Sequence, residues 1–392
     1  MITEPRNILI TGGRAPVALE LARLFKAAGH RVYAAESAVY HLCRVSSAVT
    51  ASFRVPSPRH QPQAYVQRLA ALAAELGIDL LVPTCEEIFY IAAGLDQFTG
   101  CRVLAPERRV LAGLHHKGEF IAMARSFGLA VPDTELLSSA SEWQRAVERA
   151  AADGRQQVYK PAYSRFASQV ILPGMAATPP AGISAASPWV SQEYIRGTAL
   201  CTYSVVYEGT VVAHAAYGSR YRTGRSGASV YFAPLEHPEA LEWVRRFSGA
   251  SGFSGQISFD FIEADNGTLY PIECNPRATS GIHLFSPEDG LTDALLSPGR
   301  LAQSGELVRP RSSRTAMLTL PMLGCGLKPG QGGRRDWGQA WLGAADVIWR
   351  KGDLLPVLEQ LLVVYAAIRT ARKHRISLTE ALTEDIEWNG EA

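Results

Sequence analysis

The stretch 259–277 (FDFIEADNGTLYPIECNPR) holds the side chains best suited to chemistry. Its Asp-Asn-Gly turn predicts a hairpin with Asp260 on one arm and Glu273 on the other. Because side chains alternate along a strand, Glu273 and Asn275 share a face that Asp260 can oppose. Two carboxylates and an amide oxygen form the all-oxygen site that Mg²⁺ prefers. Arg277 follows where a guanidinium can meet an anion; the alternative is an ordinary hairpin with solvated acids.

The rest of the chain predicts the elements that position this hairpin. Apolar runs at 7–11, 31–35 and 79–83 alternate with segments of helical apolar spacing, which predicts an open parallel α/β domain over residues 1–108. Later pairs of alternating runs predict antiparallel hairpins, so we expect α/β followed by α+β. From residue 311 onward, tryptophans among helical runs predict a helical C-terminal extension.

The length and composition of the chain limit the classes of protein to which it can belong. The chain has 392 residues with 47% hydrophobic and 19% charged residues, which predicts a globular protein of several lobes. A net charge of +2 argues against a nucleic-acid partner. Six cysteines without a CxxC pair, and no visible signal peptide, favour a cytoplasmic protein. No transmembrane segment is expected, because the apolar run 354–368 is short, contains Pro356 and Glu359, and predicts a packed helix.

The hairpin also carries a family resemblance. Glu273-Cys274-Asn275-Pro276-Arg277 resembles the E-x-N-x-R signature that ends the core of the ATP-grasp ligases. Further segments resemble ATP-grasp motifs in the family's order, over residues 7 to about 290: LVPTCE at 81–86, HKG at 116–118, VYKP at 158–161 and QEYIRG at 192–197. Within the superfamily, the chain looks most like the carbamoyl-phosphate-synthase-like ligases of natural product biosynthesis, such as those that form mycosporine-glycine.

The resemblance implies a domain order and a set of site residues. It implies a pre-ATP-grasp domain at 1–108, a two-lobed ATP-grasp domain at 109–310 with its lid at about 126–192, and the extension at 311–392. It implies catalytic roles for Lys160, Arg277 and Arg220, and one or two Mg²⁺, with Mn²⁺ as an alternative, on Asp260, Glu273 and Asn275. The implied nucleotide contacts are Lys117, Lys160, Ser164, Gln192, Glu193, Tyr194 and Ile195.

Some positions depart from the family or leave alternatives open. Ala199 stands where many relatives bind ribose with an acid, and the lid loop 162–168 (AYSRFAS) lacks the glycines of several relatives. Near the acceptor we expect Arg220, for which a solvated surface arginine is the alternative. Further candidates for that cleft are Arg222, Arg225, Ser280, Gly281, His283 and Glu86.

The implied reaction is phosphorylation of a small-molecule carboxylate by MgATP and its coupling to an amine, with release of ADP and phosphate. Two alternatives remain: phosphorylation of an enol-type hydroxyl before amine displacement, and a non-catalytic nucleotide-binding regulatory subunit. A third, NAD(P) binding at Gly12-Gly13 with Glu36 on ribose, lacks the G-x-G-x-x-G spacing. A homodimer is an open alternative to a monomer.

Overall fold

The computed structural model describes residues 4–164, 169–175, 178–223, 227–326 and 333–390. The lid-loop residues 165–168 and Arg225 lie outside the described residues. Within the described ranges the backbone forms three sheets with helices packed on them. The predicted fold class, α/β followed by α+β with a helical end, is confirmed.

The first sheet is the predicted parallel one. Its strands are β1 Asn7–Thr11, β2 Arg31–Glu36, β3 Ala51–Arg54, β4 Leu80–Val82 and β5 Arg102–Val103. They pair in parallel in the order β3-β2-β1-β4-β5. The residues Ile8, Leu9 and Ile10 are fully buried, as expected for a parallel strand covered on both faces. The strand order reverses between β1 and β4, and in open parallel sheets such a reversal leaves room for a ligand beyond the carboxyl ends of the strands.

The other two sheets build the region of the hairpin. The small antiparallel sheet contains β6 Thr134–Leu137, β7 Gln157–Pro161 and β8 Trp189–Glu193, in the order β6-β8-β7. The large sheet contains β9 Gly197–Tyr207, β10 Thr210–Gly218, β11 Tyr231–Pro234, β12 Gly255–Ala264, β13 Leu269–Asn275, β14 Ala316–Met317 and β15 Ala345–Asp346. Its order is β13-β12-β9-β10-β11-β14-β15, so the C-terminal extension adds two short strands to this sheet as well as helices.

Thirteen α-helices are described in the ranges above. They are α1 Pro16–Ala27, α2 Pro62–Glu75, α3 Glu87–Ala92, α4 Arg108–His115, α5 Lys117–Ser126, α6 Ala140–Ala152, α7 Pro238–Ser251, α8 Leu291–Leu296, α9 Pro298–Ser304, α10 Thr319–Gly326, α11 Arg334–Gly343, α12 Leu355–His374 and α13 Leu378–Ala381. Several begin at proline, whose fixed φ and missing N–H suit the first turn.

Helix α12 differs from the packed helix that the sequence predicted for this segment. The apolar run 354–368 does form a helix, but it is not packed on all sides: Leu358 is 62% exposed and Leu361 is 58% exposed. Its buried edge contains Glu359, which pairs with Arg44 at 2.8 Å. Among the described residues, no helix combines the length and the apolar character needed to span a bilayer.

The turn after β1 ends in a buried ion cluster. Arg14 donates to Glu36 and, through both terminal nitrogens, to Asp385 at 2.7 and 2.8 Å. Burial would raise the pKa of Glu36, but the charge and hydrogen bonds of Arg14 outweigh it and lower that pKa to about 2. Glu36, the acid that would bind ribose in a dinucleotide site, is therefore neutralised by Arg14 inside the protein. Through Arg14, the turn also anchors the C-terminal segment, residues 382–390.

We expect Glu36→Gln to lower the free energy of unfolding by about 3 kcal/mol at neutral pH, because Arg14 then lacks one of its buried partners. The pKa of Glu36 lies below its ordinary 4.5 in the folded protein, so its contribution is complete above about pH 4.5 and disappears as the pH falls toward about 2. Urea unfolding of both proteins across this range measures the difference. The control is Glu75→Gln, since that exposed carboxylate pairs with exposed Arg68. Equal stability of wild type and Glu36→Gln at neutral pH would contradict the buried ion pair.

Candidate active site

The hairpin of β12 and β13 places both acids on one face. Asp260 lies directly opposite Glu273 in the antiparallel ladder, and Asn275 follows two residues later. The neighbours Phe259 and Phe261 point to the other face, where both are fully buried. Burial of these rings therefore fixes the orientation of the opposite face, which we call the acidic face (Asp260, Glu273 and Asn275).

Aromatic packing behind the hairpin also positions α5. Trp243 on α7 lies 5.0 Å from the ring centroids of both Phe259 and Phe261. Phe120 on α5 is stacked on Phe259 at 5.7 Å. Such pairs contribute about 0.5–1.5 kcal/mol each beyond the burial of their area. The same core that supports the acidic face thus sets the place of Lys117, the first residue of α5.

A β-bulge in β13 supplies a carbonyl group to Lys160. The ladder skips Ile272, the residue before Glu273, and a bulged residue leaves backbone groups without ladder partners. The Lys160 Nζ donates to the Ile272 carbonyl oxygen at 2.7 Å and to Gln192 Oε1 at 2.9 Å. Burial and the neighbouring charge of Lys117 lower the pKa of Lys160 to about 7. The side chain is held by neutral oxygens and lies close to the acidic face.

Lys117 is a second buried cation beside the acids. It is 2% exposed, its Nζ lies 3.6 Å from Glu273 Oε1, and the Nζ donates to the Ser164 carbonyl oxygen at 3.2 Å. A cation at a helix N-terminus is disfavoured by the helix dipole, so the Glu273 carboxylate offsets this cost. Ser164 is buried and contacts Lys117 through its backbone. The contact ties α5 to the segment that follows β7, the strand that carries Lys160.

Arg277 joins the acidic face to the first sheet. It donates to Asn275 Oδ1 at 2.9 Å and to the Ala278 carbonyl oxygen at 3.3 Å. Its guanidinium also lies 3.8 Å from Glu86, which follows the carboxyl end of β4 in the first sheet. The structure therefore brings Glu86, an acceptor-cleft candidate from the sequence, next to the predicted catalytic arginine.

The charges of the acidic face fit a hard cation. Burial and the charge of Glu273 raise the pKa of Asp260. Burial would raise the pKa of Glu273 too, but Lys117 and Lys160 outweigh it and lower that pKa. The described residues contain no group of three His, Cys, Asp or Glu side chains placed as metal ligands. Two carboxylates and the Asn275 oxygen still suit Mg²⁺, which commonly combines one or two carboxylates with phosphate oxygens.

The segment predicted to hold adenine connects β8 to β9. The N–H groups of Glu193 and Tyr194 donate to carbonyl oxygens in the small sheet region, whereas the Ile195 N–H has no partner among the described residues. This N–H is one hinge donor that the described residues leave unpaired. At Gly197 an added Cβ would lie 1.9 Å from the Glu263 carbonyl oxygen, so glycine is required where the hinge enters β9.

Two arginines near the predicted acceptor side have different surroundings. Arg220, preferred from the sequence, is half-exposed and pairs with Asp336 of α11 at 3.1 Å. Arg222 lies closer to the acids: burial raises the pKa of Asp260, and the charge of Arg222 opposes that rise. Of these two arginines, Arg222 is the one whose charge acts on Asp260. Sequence alone could not separate two arginines spaced by one residue.

Three further candidates for the acceptor cleft lie in one short helix, and two residues near the acids were not predicted from the sequence. Ser280, Gly281 and His283 lie in the 3-10 helix Ser280–Leu284, which packs on α1. His283 is buried, stacks on Phe232 and lies 3.7 Å from Glu20 of α1. Sequence reasoning gave no role to His115, whose charge helps lower the pKa of Glu273, or to Trp388, which contacts Glu86.

Comparison with known proteins gives matches among solved structures only. No protein-family profile and no curated protein sequence matches the chain. The chain is similar to N5-carboxyaminoimidazole synthetase from Staphylococcus aureus, with 14% identity, a TM-score of 0.59, and 81% of this chain and 83% of that chain covered. It is similar to L-amino acid ligase from Bacillus licheniformis, with 15% identity, a TM-score of 0.56, and 80% of this chain and 79% of that chain covered. It is also similar to phosphoribosylamine–glycine ligase from Thermotoga maritima, with 17% identity, a TM-score of 0.57, and 78% of each chain covered.

These enzymes share one backbone arrangement with the chain over most of its length. The chain has the ATP-grasp fold. The resemblance carried by the sequence motifs is thus confirmed at the level of fold. In this ATP-grasp fold, Lys160 extends from the small sheet and Lys117 from α5 toward the same acidic face.

We expect Lys160→Met to leave the melting temperature of the nucleotide-free protein within about 3 °C of wild type, since burial already disfavours the charge of Lys160. If Lys160 binds phosphate, as the family resemblance implies, the same change should also remove most of the stabilisation by MgATP. Thermal-shift measurements with and without MgATP test both statements. Lys26→Met, at an exposed lysine of α1, is the control and should keep the full shift. A normal MgATP shift in Lys160→Met would contradict the assignment.

Proposed function

We propose that the protein is an ADP-forming ATP-grasp carbon–nitrogen ligase. The observation that carries this proposal is the convergence of four cations, Lys117, Lys160, Arg222 and Arg277, on two opposed carboxylates. Cations of this number neutralise the oxygens of a triphosphate, while the carboxylates suit the metal that accompanies it. A purely structural hairpin would need neither.

The proteins of similar fold support the nucleotide assignment. The biotin carboxylase domain of 2-oxoglutarate carboxylase from Hydrogenobacter thermophilus is 17% identical to the chain, with a TM-score of 0.58, and was solved with MgADP, ADP and bicarbonate. We infer that this chain takes ATP at the Ile195 hinge and along Lys117 and Lys160. Asp260, Glu273 and Asn275 would hold one or two Mg²⁺, or Mn²⁺, which when bound neutralises charge on the phosphate oxygens.

The proposed reaction has two steps. A substrate carboxylate oxygen attacks the γ-phosphorus, and the bond from that phosphorus to ADP breaks. The substrate amine nitrogen then attacks the acyl carbon, the bond to phosphate breaks, and the amine loses a proton. Lys160 and Arg277 stabilise negative charge on the transferred phosphoryl group, and Arg222 orients the anionic acid. No side chain of the protein needs to act as a nucleophile.

We also propose that the chain is divided into three domains. Residues 1–108 would form the pre-ATP-grasp domain, 109–310 the ATP-grasp domain and 311–392 the extension. The small sheet β6–β8 falls in the proposed lid, about 126–192, and carries Lys160. Lid closure would bring Lys160 and the buried Ser164 backbone onto the phosphates and exclude water.

The decisive experiment measures ADP release from MgATP with a panel of carboxylic acids and amines. Release that needs both an acid and an amine supports the ligase. For an active pair, ¹⁸O in the carboxylate should appear in phosphate, whereas ¹⁸O transfer from an enol hydroxyl would support the mycosporine-type reaction. Binding of MgATP without ADP release from any pair would instead favour the non-catalytic regulatory subunit.

We expect Glu273→Gln to lower metal-dependent ADP release at least about 100-fold, because it removes one of two carboxylates that would hold the metal. Glu263→Gln is the matched control: it lies in the same hairpin, and its partly exposed carboxylate faces His237. The control should keep wild-type turnover. Near-wild-type turnover in Glu273→Gln would remove the basis of the metal assignment.

We expect Arg222→Met to lower kcat/KM for the acid substrate about tenfold or more, because a cation near the acceptor acid is lost. Arg220→Met should stay within about threefold of wild type, since Arg220 is half-exposed and paired with Asp336. Steady-state kinetics with the acid varied at saturating MgATP measures both. A larger loss of kcat/KM in Arg220→Met than in Arg222→Met would indicate that Arg220 binds the acid substrate.

A further inference from the structure

The C-terminal segment, residues 382–390, lies against the first sheet and reaches the active site. Arg14 holds its middle through the two hydrogen bonds to Asp385. Nearer its end, the hydroxyl of Tyr90 on α3 donates to the Glu387 carbonyl oxygen at 2.7 Å. These anchors are partly or fully buried, so they give the segment a defined path across the protein.

The ring of Trp388 connects three elements. It is stacked on Phe89 of α3 at a centroid distance of 4.3 Å and an interplanar angle of 10°. It contacts Tyr163, just after β7, edge to face at 5.2 Å, and Arg108 at the start of α4 lies over it at 5.8 Å. Trp388 is 4% exposed. One aromatic side chain therefore packs between the helices of the first sheet and the strand that carries Lys160.

The backbone of Trp388 extends this connection to the acidic face. Its N–H donates to Glu86 Oε2 at 3.1 Å, while Glu86 Oε1 lies 3.8 Å from Arg277. Arg277 in turn donates to Asn275. Glu86 has no exposed surface, and a buried carboxylate is stable only with charged and hydrogen-bonding partners. The Trp388 backbone supplies one of those hydrogen bonds, and the stacking of its ring on Phe89 holds that backbone in place.

We propose that Trp388 is a positioning residue for the ligase reaction, because it holds Glu86 and Glu86 fixes the guanidinium of Arg277 beside Asn275. The inference deepens the proposed function and rests on it. Without the indole ring the segment loses its stacking on Phe89, and water reaches Glu86. Water raises the local dielectric and weakens the attraction between Glu86 and Arg277.

The kinetic test compares Trp388→Ala with two reference variants, using an acid and amine pair that is active with wild type. Trp388→Ala should lower kcat about tenfold with KM for ATP within about threefold, because Arg277 acts on charge that develops in the transition state. Trp388→Phe keeps an aromatic ring and should retain at least about a third of kcat. Trp349→Ala, at a 56% exposed tryptophan, should behave as wild type. Wild-type kcat in Trp388→Ala would overturn the proposal.

A double-mutant cycle separates positioning from general support of the fold. If Trp388 acts through Glu86, then Trp388→Ala combined with Glu86→Gln should have a kcat within about twofold of Glu86→Gln alone. Independent structural damage would instead multiply the two losses, and that outcome would overturn the proposal. Activities are compared well below the melting temperature of each variant, so that unfolded protein does not contribute.

A readout that does not need turnover keeps this inference separate from the proposed function. Hydrogen exchange followed by mass spectrometry should show faster exchange at 84–90 and 273–280 in Trp388→Ala than in Trp349→Ala, with α7 and β10 unchanged. Unchanged exchange in those two segments would contradict the connection itself. Absence of ADP release from wild type, with the exchange difference present, would refute the proposed reaction but not the contacts.

Discussion

The structure depends on one electrostatic constraint: Asp260 and Glu273 face each other across a single strand ladder. Like charges at that separation repel, and burial adds to the cost. The protein offsets this with cations whose own positions are unfavourable, namely Lys160 in a buried site and Lys117 at a helix N-terminus. Each charge is tolerated because the others are present. A nucleotide with its metal would match this arrangement, because it brings the complementary charges together.

The two faces of the hairpin have different tasks. On the hidden face, Phe259 and Phe261 pack against Trp243, and this apolar packing supplies rigidity without any charge. On the acidic face, the contacts are ion pairs and hydrogen bonds that can be exchanged for contacts to a ligand. A rigid support beneath exchangeable polar contacts is what a site needs when it must hold charged groups within a few tenths of an ångström.

The C-terminal extension is part of the structural framework of the site. Its strand β14 pairs with β11 of the large sheet, and buried Arg23 on α1 pairs with Asp353 at 2.9 Å. Asp385 pairs with Arg14 beyond β1, so the extension binds both the first and the large sheet. The same Arg14 neutralises Glu36, which explains why a turn resembling a weak dinucleotide fingerprint serves here as an anchor for distant residues.

The sequence by itself determined the fold class, three of the five parallel strands of the first sheet (β1, β2 and β4) and the acidic hairpin, because burial and side-chain alternation are local patterns. Local pattern also placed Lys117 and Lys160 on elements that reach the hairpin. It did not reveal the two-residue strands β14 and β15, which are too short to show a period. Only the tertiary structure paired Arg220 with Asp336, brought the charge of Arg222 near Asp260, and joined Trp388 to Glu86 across 302 residues. Alternation fixes which face of a strand a residue occupies, but which distant charges and rings meet there depends on how the whole chain packs.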